Sequence, residues 1–306
     1  MYVLIAFTFA VVKFLKQWKM RKLITDQDTD MVFFSKFINE MDCWKTLREL
    51  LNTFHVKYAL LPFTKDIWIR DYMPIQISED KMLQYTYNPD YLEKYPQYIT
   101  DPTCCYQKLE QKLKITNIIL DGGNVVKCPD MVIMTDKIFK ENSSYTKRRL
   151  INEIEDIFQA ELLLIPWDTY EKYGHADGMV RYVDGNRVLI NCYCDFDKSF
   201  RNKLFKSLSA KFDVMELHFD VKHRNKFSWA YINYLLIGKV MFLPYLGSEE
   251  DLQAFRQMEE IYHVDIMQVD VRNLVLHGGA LNCISWNVKA NKALSDYYNI
   301  VINSIG

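Results

Sequence analysis

Apolar positions along the chain change period several times, and those changes mark its elements. Over residues 35–54, Phe37, Ile38, Met41, Trp44, Leu47, Leu50 and Leu51 recur at the three-and-four spacing of an amphipathic helix, and residues 56–61 follow as a strand. Two strand-like runs, 75–78 and 83–87, precede a loop bearing Tyr and Pro, a helical stretch at 106–114 and a strand at 115–120. Runs at 125–128 and 131–135 read as a strand pair turned by Pro129-Asp130. A helix at 147–159 then places Leu150, Ile151, Ile154, Ile157 and Phe158 on one face. The order returns: strand 162–165, a hairpin of 179–183 and 187–191 turned at Asp184-Gly185-Asn186, helix 198–210, strand 214–219. It returns once more as a pair at 231–237 and 240–244, helix 249–262 and strand 264–269. Strand, strand, helix, strand thus recurs without residue-level repetition, which predicts an α/β ring or stack of similar units. No linker interrupts residues 20–306, so a single domain is expected there.

Composition narrows the function classes. The chain has 306 residues, 49% of them hydrophobic, enough to bury a sizeable core. Its 38 basic and 39 acidic residues occur without long blocks of either sign, which argues against nucleic acid as partner and for a small molecule. Seven cysteines, unevenly spaced, suit reduced thiols in a cytoplasmic protein rather than a secreted disulfide framework. Neither Cys192 with Cys194 nor Cys104 with Cys105 has a partner set at zinc spacing, so no structural metal is expected. The apolar start, residues 2–12, is too short for a membrane span, and no stable membrane association is expected. Residues 1–19 read as an extension before a domain that opens at Met20.

Four polar clusters interrupt the apolar elements at strand ends and turns, where binding and catalytic groups collect. They are Asp66-Ile67-Trp68-Ile69-Arg70-Asp71-Tyr72-Met73-Pro74; Asp121-Gly122-Gly123-Asn124; Gly174-His175-Ala176-Asp177-Gly178; and His277-Gly278-Gly279-Ala280-Leu281-Asn282-Cys283. With the segment from Trp229 through Asn233 to Gly247, these resemble, in order, the motifs of the agmatine deiminase and bacterial (porphyromonas-type) peptidylarginine deiminase family. The resemblance covers about residues 66–286. It implies the pentein fold, an α/β propeller of five strand-strand-helix-strand modules with pseudo-fivefold symmetry around a central channel. Asp71, Asp121, His175, Asn233 and Cys283 lie 50, 54, 58 and 50 residues apart, a near-constant interval that suits one contribution per module. Three positions depart from the family pattern: Met73 stands where Gly is usual, Asp121 where many members have Glu, and Asn282 where His commonly precedes the nucleophile.

The residue types fit chemistry on a guanidinium, a planar, resonance-stabilised cation whose carbon resists attack unless it is clamped and met by a strong nucleophile. Asp71 and Asp177 fit as clamps. Cys283 fits as nucleophile, its thiolate favoured by a nearby cation, the substrate included. His175 can donate a proton to the departing ammonia and then deprotonate water, with Asp121 orienting it. By resemblance Asn233 lines the same pocket, and Trp68, Arg70 and Gly279 belong to the substrate-binding surface. No cofactor is implied. Taken singly each residue has a plainer reading: an inert core thiol for Cys283, a capped turn for Gly174–Asp177, a hairpin loop for Asp121-Gly122-Gly123, a surface ion pair for Arg70 and Asp71, and packing for Trp68 and Trp229.

No Arg occurs between Arg70 and Arg148 to grip a substrate carboxylate, while Tyr85, Tyr87, Asp90, Tyr91, Glu93 and Tyr95 suit an ammonium or an apolar tail. Agmatine, giving N-carbamoylputrescine, therefore ranks above peptidyl-arginine, giving peptidyl-citrulline. Amidino transfer to an amine and a non-catalytic pentein scaffold are the competing classes. A homo-oligomer is compatible with the sequence.

Overall fold

The computed structural model describes residues 22–169 and 173–305. The reading of residues 1–19 as an extension, and of Met20 as the domain's opening, lies outside the described residues. Among the described residues, fifteen strands form five three-stranded sheets. The strands are β1 Met31–Ser35, β2 Lys57–Leu61, β3 Ile75–Ser78, β4 Lys81–Thr86, β5 Leu113–Ile119, β6 Val126–Lys127, β7 Met131–Thr135 and β8 Glu161–Ile165. They continue with β9 Val180–Asp184, β10 Arg187–Ile190, β11 Asp213–Glu216, β12 Leu235–Ile237, β13 Val240–Tyr245, β14 Asp265–Asp270 and β15 Trp286–Val288. Every sheet obeys one rule: its middle strand pairs antiparallel on one side and parallel on the other.

The rule follows from connection length. In four sheets the antiparallel pair is a local hairpin (β3–β4, β6–β7, β9–β10, β12–β13), whereas the parallel partner needs a crossover, here carrying a helix. Those helices are Pro102–Tyr106, Lys147–Phe158, Lys198–Ser209 and Glu250–Ile261. The fifth sheet is assembled from both ends of the chain. β1 runs parallel to β2 across the Cys43–Thr53 helix, and its antiparallel partner is β15, with Met31 opposite Val288 and Phe33 opposite Trp286.

Buried apolar side chains form three groups, and single strands serve two of them. Alternation along β1 sends Val32 and Phe34 into one group and Met31 and Phe33 into another; along β7 Val132 and Met134 part from Ile133 in the same way. Strands buried on both faces in this manner read as continuous apolar runs. Among the described residues no helix is long and apolar enough to cross a membrane. All seven cysteines are free thiols.

The recurring order read from the sequence matches the structure, with local corrections. The helix expected over 35–54 is a 3-10 turn, Lys36–Glu40, and a separate helix, Cys43–Thr53, divided at the extended Met41. The Ser35 hydroxyl accepts from the Phe37 amide and starts the first turn. The helix expected at 106–114 lies earlier, at Pro102–Tyr106, because Asp101 caps the Thr103 amide and Pro102 occupies the first helical position. The strand expected at 231–237 keeps only Leu235–Ile237, since Tyr231 and Ile232 belong to a 3-10 turn, Ser228–Ile232. β1, β15, the short Ile138–Glu141 helix and the Lys292–Ile305 helix were not expected.

Candidate active site

The connection that follows the parallel third strand of each sheet carries one of the motif residues. After β2 the Ile69–Tyr72 turn holds Asp71; after β5 comes Asp121; after β8 come His175 and Asp177; after β11 comes Asn233; after β14 comes Cys283. The structure brings these distant segments together.

His175 and three carboxylates form the centre. The Nε2 edge of the imidazole lies 2.9 Å from Asp121 Oδ2, and Nδ1 lies 3.6 Å from Asp71 Oδ1. Asp71 is fixed from two further directions: the Gly123 amide donates to Oδ1 at 3.1 Å, and the Tyr85 hydroxyl donates to the Asp71 carbonyl at 2.6 Å. Gly123 must be glycine, because a Cβ there would lie 2.6 Å from His175 Nδ1 and 2.8 Å from Asp71 Oδ1. All of these side chains are buried, Asp121 at 1% exposure and His175 at 7%.

The second carboxylate is held by a relay. The Arg70 guanidinium can only donate, so it faces Asn282 Oδ1, 3.0 Å from Nη2; this turns the Asn282 amide nitrogen to Asp177 Oδ2 at 2.6 Å. Arg70 also donates to the Asn282 carbonyl, Ser285 Oγ and Asn287 Oδ1, and its own backbone amide donates to the Cys283 carbonyl at 3.2 Å. Its guanidinium is thus spent on the segment around the thiol. Cys283 itself is partly exposed; both its amide and its thiol donate to Asn233 Oδ1, at 3.3 and 3.2 Å. Gly279, four residues earlier, lies against the half-buried Trp68, where a Cβ would come within 2.2 Å of the indole. Trp229 packs against the core.

The electrostatics follow from crowding acids out of water. Burial, then the charges of Asp121 and Asp177, push the Asp71 carboxyl up to about 7 against the opposing pull of His175. Burial works against a charged imidazolium at His175, but Asp71 and Asp121 outweigh it and lift this side chain to about 10. The cluster therefore retains protons at neutral pH. Burial also pushes the Cys283 thiol well above its ordinary range, with Asp177 and Asp71 adding to the effect. A cation bound beside such a thiol would favour its ionised form.

Some expectations about the surroundings are corrected. Tyr85 and Tyr87 are interior residues, and Tyr85 spends its hydroxyl on the Asp71 and Met73 carbonyls instead of facing a substrate tail. Asp90 pairs with Lys140 at 2.8 Å and Lys137 at 3.3 Å, and Tyr95 is exposed. Tyr91 stands edge-on to Tyr173, with ring centroids 4.9 Å apart, and 6.1 Å from the His175 ring. Sequence reasoning missed Lys137, whose buried ammonium lies 4.0 Å from Asp121 Oδ2; a lysine two positions beyond a strand carries no pattern that marks it. It also missed the Asn282 to Asp177 bond. Among the described residues one group of metal-ligand type, Cys194, Asp195 and His218, brings its donor atoms within 4.8 Å of one another. It includes none of the motif acids, and Asp195 is already paired with Arg224.

Comparisons with known proteins bear on the fold and the family. The family profile described as Porphyromonas-type peptidyl-arginine deiminase matches residues 20–288. An agmatine deiminase from C. jejuni superposes with a TM-score of 0.69 at 19% identity, covering 89% of this chain and 97% of its own. An agmatine deiminase from Enterococcus faecalis gives 0.68 at 15% identity, covering 89% and 96%. An amidinotransferase from Microseira wollei gives 0.60 at 11% identity, covering 88% and 97%. No curated protein sequence gives a significant match. These likenesses carry the fold, and the profile carries the membership: the chain belongs to the Porphyromonas-type peptidyl-arginine deiminase family, hydrolases that act on the C–N bonds of amidines.

Proposed function

We propose that the protein hydrolyses agmatine to N-carbamoylputrescine and ammonia through a covalent Cys283 intermediate. The observation that carries the reading is the convergence of a partly exposed thiol with Asp71, Asp177 and a carboxylate-bound His175 in one acidic site. In this reading Asp71 and Asp177 clamp the guanidinium, whose charge lets the Cys283 thiol ionise and release its proton. The Sγ atom bonds to the guanidinium carbon, and protonated His175 delivers its proton to one nitrogen, which leaves as ammonia. Neutral His175 then takes a proton from the water that attacks the thiouronium carbon. The C–S bond breaks as the adduct's remaining hydroxyl proton passes to the departing sulfur, restoring the thiol and leaving the ureido product. Asp121 orients the imidazole throughout. Asn233 holds the sulfur, Arg70 holds the segment bearing it, and Gly279 and Trp68 shape the wall beside it.

Charge supports agmatine over peptidyl-arginine. Among the described residues the cations nearest the acids are engaged: Arg70 by Asn282, Ser285 and Asn287; Lys137 by Glu141 and Asp90; and Arg181 by Asp26 and backbone carbonyls. A substrate carboxylate finds no uncommitted partner there, whereas a cationic or apolar tail needs none. The five sheets, each sending one segment to the same site, support the pentein propeller with pseudo-fivefold symmetry as the arrangement, and residues 20–306 as its single domain. Seven free thiols support a cytoplasmic setting.

The test is ammonia and ureido-product release from agmatine, free arginine and arginyl peptides, with Cys283→Ala as control. Agmatine is expected to turn over fastest and the variant to be inactive. Equal or faster turnover of a C-terminal arginine peptide would reverse the substrate ranking. Amidino rather than ureido product in the presence of ornithine or glycine would replace hydrolysis by transfer.

A further inference from the structure

Lys137 is an unusual cation for its position. It belongs to none of the motifs, yet its side chain is 1% exposed and reaches four groups from three parts of the chain. The ammonium lies 2.7 Å from Glu141 Oε1, 3.3 Å from Asp90 Oδ1 and 4.0 Å from Asp121 Oδ2, and it sits over the Tyr91 ring at 5.2 Å. Its stem passes so close to Gly174 that a Cβ there would lie 2.6 Å from the lysine Cδ. The lysine is therefore wedged behind the residue immediately before His175. Asp121 Oδ2 thus has two cationic neighbours, His175 at 2.9 Å and Lys137 at 4.0 Å, while its buried Oδ1 has no hydrogen-bond partner.

Leaving a carboxylate ionised in so dry a place requires compensating charge. The groups facing this cluster are Asp66, Asp71, Asp121, Asp177, Glu141 and Asp90 on the acidic side and His175 and Lys137 on the basic side, with Lys140 paired to Asp90. Without Lys137, the cation left beside Asp121 Oδ2 is His175. We propose that Lys137 is a positioning residue for the reaction, acting through Asp121: it holds that carboxylate aimed at His175, and its positive charge opposes the acids that would otherwise keep the imidazole's proton in place. The proposal rests on the guanidine-hydrolysis reading of the site. It assigns Lys137 no contact with substrate, because the ammonium is held by Glu141 and Asp90 and meets the motif residues through Asp121. The Asp90–Leu92 turn shares the same cation, so Lys137 also ties this turn and Tyr91, which covers the His175 ring, to the carboxylate beneath it.

The experiment compares Lys137→Met and Lys137→Arg with the wild type. Removing a positive charge tightens proton binding by every member of a coupled cluster, so both limbs of the kcat/KM profile are expected to move to higher pH by about 1 unit in K137M. At the wild-type optimum kcat should fall about 10-fold or more with KM little changed, and K137R should restore the limbs towards wild-type positions. Limbs that stay in place in a folded K137M, or a K137R as displaced as K137M, would overturn the proposal. Lys137→Gln serves the same purpose if the methionine variant does not fold. An NMR titration of the His175 ring in the resting protein separates this question from substrate identity. Its midpoint should rise in K137M whether or not agmatine is the substrate, and an unmoved midpoint counts against Lys137 alone.

Discussion

Replacing Asn282 by aspartate tests the relay that orients Asp177. The amide nitrogen of Asn282 lies 2.6 Å from Asp177 Oδ2, and the substitution puts an acid oxygen in its place while Arg70 keeps an acceptor on the other side. Two carboxylates this close cannot both ionise; one proton is held between them. Like charges about 4 Å apart at an effective dielectric near 20 repel by about 4 kcal/mol, or about 3 pKa units, which moves one acid from about 4 to about 7. The clamp is then half-neutralised below that value. In Asn282→Asp, the ratio of kcat/KM at pH 8.5 to that at pH 6 should exceed the wild-type ratio about 10-fold. The sign of the stability effect follows from the same shift. The folded variant holds a proton that the unfolded chain releases, so it loses stability relative to wild type as pH rises from about 4 to about 7, by up to about 4 kcal/mol. Ammonia release across pH and thermal melts at both ends of the range read both effects. A variant with the wild-type pH profile and unchanged melting at pH 8 would refute the contact between Asn282 and Asp177.

Two further outcomes are expected from the site's electrostatics and packing. Because burial and the flanking acids raise the Cys283 thiol, its alkylation by iodoacetamide should be slow at pH 7 and accelerate about tenfold per pH unit to beyond pH 9. A plateau below pH 7, found by peptide mapping, would show a pre-formed thiolate instead. Gly123→Ala places a methyl where His175 and Asp71 already stand, so one of them must move by a sizeable part of 1 Å; kcat should fall about 100-fold while the fold persists, as measured by turnover and melting.

The sequence displayed what is local. The hairpin at Asp184-Gly185-Asn186 and the helical face of Leu150, Ile154 and Ile157 are written in short periods, and both appear in the structure as read. So are the motif turns, because a turn that exposes a reactive group needs Gly, Asp or Asn at fixed places. The closing sheet was hidden for the opposite reason. β1 and β15 recognise each other from opposite ends of the chain, and neither is bounded by a hairpin turn that would announce a partner. The three-residue β15 is too short to show a period at all. In the site, the roles of Asn282 and Lys137 depend on partners that only folding supplies: Asp177 is 105 residues away from Asn282 in the chain. Arg70 illustrates the limit most clearly. Its place in a motif suggested substrate contact, whereas its guanidinium holds the asparagine beside Cys283.

The central claim is that Cys283 bonds covalently to the guanidine carbon in the acid-lined site. The most direct measurement is rapid acid quench of the protein during turnover of agmatine, followed by intact-mass and peptide analysis. The account expects an adduct equal to the substrate less ammonia on the peptide carrying Cys283, absent in Cys283→Ala. Its decay should slow when His175 is replaced by Gln. Ureido product formed with no such adduct, or an adduct confined to another cysteine, would contradict it.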